Sequence, residues 1–158
     1  MKKTEIRLLT ECDEKTFEKI CSWMYEWWGK AEDYSYEEIE CYMSHSMNEK
    51  RLPRTYGLYC DDSLCGLYQF TLNDIDIRPD IYPWLANVYI AEECRKEGLS
   101  LILLNSVNQN ALDCGFDEIF LFTEHSDYYE RFGFEFVSDF DTFKKTPRIQ
   151  RLYRLKLK

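Results

Sequence analysis

The sequence predicts an α/β protein in which helices cover both faces of a central mixed sheet that is mostly antiparallel. In the middle of the chain, a buried strand at 84–91, an amphipathic helix at 98–114 and a second buried strand at 118–123 follow one another. This order is typical of a parallel pair joined by a crossover helix. Short β-like segments joined by turns flank this unit, and hairpins of that kind give antiparallel neighbours.

Two helices are predicted before residue 54. Asp13 caps the first helix, which keeps apolar residues at helical spacing to about Trp27, and Gly29 ends it. Ser35 followed by Glu38 has the spacing of a capping box and begins the second helix.

Strands and one short helix complete the predicted order. The strands outside the central unit are Glu5–Leu9, Arg54–Cys60, Leu64–Leu72, Phe134–Phe140 and Ile149–Leu157. Gly115 ends the central helix, and a short helix that begins at Asp127 stops at Gly133. The chain has 158 residues and no internal repeat, so we expect one domain over residues 1–158.

Charge and cysteine content exclude several classes of protein. The chain has 29 acidic and 20 basic residues, a net charge of −9, which disfavours nucleic acids and anionic membranes as partners and permits a cationic ligand such as an amine. The pattern of apolar residues predicts neither a membrane-spanning segment nor a secretory signal. Its seven scattered cysteines form no C-x-x-C pair. We therefore expect a cytoplasmic protein without a metal site or a disulfide framework.

The junction between the first central strand and the central helix predicts an anion site. It reads Arg95-Lys96-Glu97-Gly98-Leu99-Ser100. The start of a helix presents unpaired N–H groups and the positive end of the helix dipole, which together bind phosphate groups. Gly98 allows a ligand to approach the backbone, and Arg95 and Lys96 add positive charge to an acidic chain. We therefore expect an anionic cofactor here.

Together with a later segment, this junction resembles a known family. The resemblance rests on two runs, PWLANVYIAEECRKEGLSLILLNSV from Pro83 and FDEIFLFTEHSDYYERFGFEF ending at Phe136. They resemble the GCN5-related N-acetyltransferases (GNAT), which have an (R/Q)-x-x-G-x-(G/A) pyrophosphate loop and a later F-Y-x-x-x-G-F segment. The resemblance implies the acyl-CoA N-acyltransferase fold with its splayed parallel pair, acetyl-CoA (coenzyme A) as cofactor, and no metal.

The resemblance also implies roles for individual residues. The backbone N–H groups from Arg95 through Ser100 would hold the pyrophosphate of acetyl-CoA. The segment Val88-Tyr89-Ile90 would pair with the pantetheine arm where the two parallel strands separate, and an amide near Tyr89 or Ile90 would face the thioester oxygen. Tyr129 would be the general acid that protonates the departing thiolate, because a tyrosine hydroxyl has a higher pKa than a thiol.

The chain departs from the family pattern at three places. Ser100 stands where the loop has glycine or alanine. Trp84 stands where many relatives carry a carboxylate at the start of the central strand, so the usual base is missing. The asparagine that often precedes the tyrosine motif is absent, and Glu124 and His125 are candidate bases by their location alone.

The resemblance implies an enzyme that moves the acetyl group of acetyl-CoA directly to a primary amine in a ternary complex. The resemblance implies that the acid-rich segment 31–42 lies over the acceptor site, so we expect the acceptor to be a small, cationic molecule. The other interpretation of this segment is a solvated helix face. Two alternatives stay open, an acceptor amine on a protein or peptide and, because Trp84 replaces the base, a non-catalytic acyl-CoA-binding sensor. The sequence does not decide the identity of the acceptor or whether the chain forms a homodimer.

Overall fold

The computed structural model of the chain describes residues 2–144 and 147–158. These residues form two compact units. Unit 1 comprises Met1–Gln69 and Asn87–Leu99, and unit 2 comprises Phe70–Ala86 and Ser100–Lys158. The expectation of one domain over residues 1–158 stays a prediction.

The described residues contain a mixed sheet of seven strands. The strands are β1 (Thr4–Leu9), β2 (Arg54–Cys60), β3 (Ser63–Thr71), β4 (Trp84–Ile90), β5 (Glu118–Thr123), β6 (Glu135–Asp141) and β7 (Ile149–Lys156). Their order in the sheet is β1-β2-β3-β4-β5-β7-β6, and β4 and β5 run parallel. The pairs β1–β2, β5–β7 and β6–β7 are antiparallel. The predicted fold class is thereby confirmed.

The helices lie where the sequence predicts them, but one predicted helix is interrupted and another does not end at the predicted residue. They are α1 (Glu14–Met24), α2 (Tyr36–Ser44), α3 (Leu99–Asn105) and α4 (Val107–Asp113). The prediction of one helix over 98–114 is wrong, because the Ser106 side chain turns back and its hydroxyl donates to the Leu103 carbonyl oxygen at 2.7 Å. Such a bond competes with the helical ladder and separates α3 from α4. Within residues 2–144 and 147–158, the helices are too short or too polar to span a lipid bilayer.

Gly29 does not end the first helical region, which corrects the sequence prediction. After α1, residues Tyr25–Gly29 continue as a π-helical turn and Lys30–Glu32 as a 3-10 turn, and Asp33 ends the run with a left-handed φ of 61°. Gly29 itself has helical backbone angles. A Cβ atom at this position would lie 3.0 Å from the Ile39 Cδ1 atom, so the glycine provides room for α2 to pack.

The core of unit 1 joins the apolar faces of α1 and α2 to β3. Ile20 and Met24 on α1, Ile39 and Met43 on α2, and Leu67 on β3 are at most 1% exposed. Burying an aliphatic side chain of this size stabilises the fold by about 1.5–3 kcal/mol. The Asp13 cap and the reciprocal Ser35 and Glu38 capping box, both confirmed, fix where the two helices begin.

In unit 2, the start of β4 is fixed against β5. Trp84 pairs with Phe120 across the parallel ladder, and the Phe120 N–H donates to the Pro83 carbonyl oxygen at 3.0 Å. The Trp84 side chain is fully buried, and its ring packs near those of Phe120 and Phe122. Any separation of the two strands beyond this pair stays a prediction from the resemblance.

In unit 1, β3 comes very close to β4 at Gly66. A Cβ atom at this glycine would lie 2.6 Å from the Tyr89 carbonyl oxygen and 2.7 Å from the Ile90 Cδ1 atom. The Ala91 N–H donates to the Cys65 carbonyl oxygen at 2.9 Å just beyond this point. The position of the segment Val88–Ile90 therefore depends on the absence of a side chain at residue 66.

We expect Gly66→Ala to lower the free energy of unfolding by about 3 kcal/mol, because the new methyl group would push directly on backbone. The matched control is Gly115→Ala, where φ is +82° and nothing lies within 4 Å of a Cβ atom. This control should cost about 1 kcal/mol of backbone strain only. Urea unfolding of the three proteins measures both values, and equal losses in the two variants would contradict the close approach.

Candidate active site

The backbone of the segment Arg95–Ser100 has the geometry of an anion-binding loop. Lys96 has a φ of 68° and Gly98 a φ of 73°, with Glu97 between them. Left-handed residues alternating with ordinary ones turn successive N–H groups toward one side, a concave arrangement that binds anions. Arg95 to Gly98 are exposed, and within the described residues the N–H groups of Lys96, Glu97 and Gly98 donate no hydrogen bond. The loop therefore has free donors.

Space for a ligand is present at the same loop. Nothing lies within 4 Å of the place where a Cβ atom on Gly98 would stand. Lys96 holds a left-handed conformation that costs a non-glycine residue about 1–2 kcal/mol. Backbone strain of this kind is concentrated at functional sites. The predicted site is thus exposed, strained and unfilled by side chains.

Side-chain contacts of Arg95 and Glu97 connect the loop to other residues of unit 1. The Arg95 Nε–H donates to the Ile90 carbonyl oxygen at 3.0 Å, and its guanidinium lies 5.8 Å from the centre of the Tyr89 ring. The Glu97 carboxylate accepts from the Lys2 ammonium at 2.8 Å, and this pairing raises the Lys2 pKa. The negative charge that Glu97 adds to the loop is therefore offset by Lys2.

The segment Val88–Ile90 presents its central tyrosine to aromatic neighbours of unit 1. The Tyr89 ring lies 5.2 Å from that of Trp23 and 5.3 Å from that of Trp27. Burial raises the pKa of the Tyr89 hydroxyl. Trp27 stays 46% exposed, so an apolar surface borders the strand segment that the resemblance assigns to the pantetheine arm.

In unit 2, Tyr129 begins a 3-10 turn, Tyr129–Phe132, that ends at the left-handed Gly133. Its half-buried ring makes edge contacts with Tyr128 at 5.0 Å and Phe134 at 5.9 Å. Burial raises the pKa of the Tyr129 hydroxyl to about 12. The hydroxyl therefore stays protonated at neutral pH and is available as a hydrogen-bond donor.

The residue after Tyr129 anchors this turn through a network that the sequence analysis did not identify. The Tyr153 hydroxyl donates to the Glu130 Oε1 atom at 2.6 Å, and the Arg151 Nε–H donates to the Tyr153 hydroxyl oxygen at 3.0 Å. The hydrogen bond from Tyr153 is the main cause of the lowered pKa of the Glu130 carboxyl. One signal was available, because strand alternation places Arg151 on the same face of β7 as Tyr153.

The two candidate bases lie in an exposed turn after β5. The His125 backbone N–H donates to the Thr123 hydroxyl oxygen at 3.1 Å, and its ring lies 6.3 Å from that of Tyr128. Glu124 is exposed and has no ion pair within the described residues. Both side chains are accessible, and their role as base stays a prediction.

Comparisons with known proteins show which family the sequence resembles. Residues 8–134 match the sequence model of the acetyltransferase (GNAT) family. No curated protein matches the chain significantly in sequence.

Many solved structures have the same fold. An aminoglycoside 6'-N-acetyltransferase complexed with coenzyme A has a TM-score of 0.72 and 15% identity, over 96% of this chain and 96% of that one. A probable acetyltransferase from Staphylococcus epidermidis ATCC 12228 has a TM-score of 0.71 and 15% identity, over 99% and 100%. An acetyltransferase from Salmonella typhimurium that modifies the N-terminal serine of ribosomal protein L7/L12 has a TM-score of 0.70 and 14% identity, over 98% and 95%.

The anchor of the Tyr129 turn gives a pH-dependent prediction. A carboxyl with a lowered pKa in the folded chain stabilises the fold above its ordinary pKa of 4.5, and this contribution is lost as the pH falls through the folded pKa. We expect Tyr153→Phe to be less stable than the wild type by about 1 kcal/mol at pH 7. The difference should shrink at pH 3.

Urea unfolding at the two pH values measures this difference. Tyr82→Phe, at a tyrosine that is 58% exposed, serves as the control and should leave the stability unchanged at both. A deficit of Tyr153→Phe that is the same at pH 7 and pH 3 would contradict the role of the Glu130 charge.

Proposed function

The chain belongs to the acetyltransferase (GNAT) family, and we propose that it transfers the acetyl group of acetyl-CoA to a primary amine of a small, cationic molecule. The observation that supports this proposal best is the loop at Lys96 and Gly98. Its free, exposed N–H groups lie at the sequence position of the family's pyrophosphate loop.

The main chain from Arg95 through Ser100 holds the pyrophosphate in this proposal. Hydrogen bonds from N–H groups are needed because the chain as a whole carries a net charge of −9 and repels anions. The side chains of Arg95 and Lys96 reduce this repulsion locally. The segment Val88–Ile90 pairs with the pantetheine arm as an added strand, and an amide near Tyr89 or Ile90 faces the thioester oxygen.

Tyr129 acts on the departing sulfur. A full proton transfer from a hydroxyl with a pKa of about 12 to a thiolate, whose thiol has a pKa of about 8.5, would be uphill by about 5 kcal/mol. Donation of a hydrogen bond to the sulfur as its charge develops needs no such transfer. The raised pKa therefore favours a Tyr129 that stabilises the leaving thiolate by a hydrogen bond and keeps its own proton. The released thiolate, whose thiol has a pKa of about 8.5, then takes its proton from water.

The attacking amine must be neutral, so its proton has to be removed. Glu124 and His125 are the candidates, because both are exposed and solvent can carry a proton to them. Trp84 is fully buried among apolar side chains and cannot take this part.

A cationic acceptor is supported by the surroundings of α2 in unit 1. The segment 31–42 contains five acidic residues and no base. Exposed aromatic rings lie in or beside it, those of Trp27, Tyr34 and Tyr42. A negative field and aromatic faces both attract ammonium groups.

Thiol release from acetyl-CoA with a panel of polyamines, aminoglycosides, amino acids and peptides tests the proposal. Turnover with small cationic amines supports it, whereas turnover with peptides only would assign the acceptor to a protein. Trp84 in place of the usual carboxylate favours one alternative, a sensor. Binding of acetyl-CoA by calorimetry without turnover on any amine would establish that alternative.

We expect Tyr129→Phe to lower kcat by about 10²- to 10⁴-fold while the affinity for acetyl-CoA changes little, because the hydroxyl acts only as charge develops on sulfur. Tyr128→Phe is the matched control, since it removes the neighbouring hydroxyl and keeps the ring contact with Tyr129. Equal turnover in wild type and Tyr129→Phe would remove Tyr129 from the mechanism.

We expect Gly98→Glu to abolish acetyl-CoA binding without unfolding the chain, because a carboxylate would enter the phosphate site while no atom lies within 4 Å of a Cβ atom there. Gly115→Glu is the matched control, with the same left-handed strain and the same open space outside the loop. Calorimetry measures binding of acetyl-CoA to both. Retained binding in Gly98→Glu would contradict the loop assignment.

A further inference from the structure

A polar network lies buried in unit 1, and its centre is Gln69 on β3, a side chain with no exposed surface. The Gln69 Nε2 atom donates to the Thr55 hydroxyl oxygen at 2.9 Å. The Thr55 hydroxyl in turn donates to the Ser46 carbonyl oxygen at 2.6 Å. Since the single hydroxyl proton is used on Ser46, Thr55 accepts from Gln69, and the orientation of the Gln69 amide is fixed.

The Gln69 carbonyl oxygen therefore points to the other side, where it accepts two hydrogen bonds. The Asn87 Nδ2 atom donates to it at 2.6 Å, and the Tyr42 hydroxyl on α2 donates to it at 3.2 Å. Because an oxygen can only accept here, the Asn87 side chain must turn its NH₂ group toward Gln69, which fixes the orientation of the Asn87 amide as well. Its Oδ1 atom faces away and accepts no hydrogen bond from the described residues.

Asn87 occupies an unusual place in β4. Its φ is 53°, a left-handed conformation that asparagine tolerates better than most residues. It is half-buried and comes directly before Val88–Ile90, the segment assigned to the pantetheine arm. Tyr42, which shares its acceptor, belongs to the acid-rich segment 31–42.

We propose that the Asn87 Oδ1 atom accepts a hydrogen bond from the N–H of the acceptor amine and that Gln69 positions it for this purpose; this rests on the proposed function. An amide oxygen accepts hydrogen bonds only, so its partner must be an N–H or O–H donor, which a primary amine supplies. Because the amide is neutral, it orients the amine without taking its proton. The nitrogen lone pair is then free to attack the thioester carbon.

The fixed orientation supports a binding role. A buried glutamine within an apolar core is costly unless all its groups are bonded, and here each bond determines the direction of the next. The chain of bonds leaves one oriented acceptor beside the segment proposed to hold the thioester. Positioning of this kind lowers the cost of bringing the amine to the reacting carbon.

Asn87→Gly tests the assignment, since glycine adopts a φ of 53° without strain and removes only the amide. We expect the KM for the best amine of the panel to rise about tenfold or more, because the variant loses a hydrogen bond to a charged or polarised N–H donor. The KM for acetyl-CoA and the pH at which kcat/KM rises should stay unchanged, because a neutral amide neither binds the cofactor nor titrates.

Gln69→Leu gives the second readout. It leaves Asn87 in place but releases its amide, so the KM for the amine should rise less than in Asn87→Gly, and the double variant should show less than the product of the two effects. A rise confined to acetyl-CoA in Asn87→Gly would assign the oxygen to a pantetheine amide and overturn the proposal. An unchanged amine KM in Asn87→Gly would overturn it too.

The wild type separates this proposal from the one before it. A wild type that binds acetyl-CoA by calorimetry but acetylates no amine would overturn both. A wild type that acetylates small amines, with an Asn87→Gly variant of equal amine KM, would overturn only the Asn87 assignment and leave the proposed function intact.

Discussion

The close approach of β3 to β4 in unit 1 is the constraint on which the candidate site depends. Gly66 brings its backbone against the Tyr89 carbonyl oxygen, and Gln69, farther along β3, bonds to the Asn87 side chain. The backbone contact at Gly66 thus holds the segment Val88–Ile90, and the buried Gln69 amide orients the Asn87 side chain that precedes it. A strand that must pair with a flexible ligand arm binds more tightly when its own position is fixed beforehand.

In a chain with this much acidic charge, an anion at the loop depends on hydrogen bonds from main-chain N–H groups and not on the net charge. A net charge of −9 repels an anionic cofactor. In the proposed function, the exposed loop with free N–H groups attracts the cofactor at short range, where local donors outweigh screened, distant charges. Glu97 would weaken this attraction if it were unpaired, and Lys2 offsets it. The same acidic charge that opposes the cofactor favours a cationic acceptor, so the two ligands impose different demands on one chain.

Local sequence patterns, such as the spacing of apolar and capping residues, are predicted better than features that depend on a single contact between distant residues. Periodicity predicted the strands, and the spacing of Ser35 and Glu38 predicted the capping box. Gly29 was misread because a glycine can serve either conformation or space, and only the packing of Ile39 shows that space is the reason. The Gln69 network was missed since a glutamine within an apolar strand shows neither its burial nor its partners in sequence. Glu130 and Tyr153 are far apart in the chain, and only the fold brings them together.

Trp84 changes the way in which the amine can lose its proton. A carboxyl group at the start of β4 would lie among Ile81, Leu152 and neighbouring aromatic rings. Burial there would raise its pKa, so that less of it would be ionised and able to take a proton at neutral pH. The indole keeps this region apolar. In the proposed mechanism, exposed groups such as Glu124 and His125, or solvent, remove the proton, and the neutral Asn87 amide only orients the nitrogen. In this proposal, one residue binds the amine and other groups deprotonate it. An acceptor whose ammonium group has an ordinary pKa can then bind as a cation and attack the thioester after it has lost a proton.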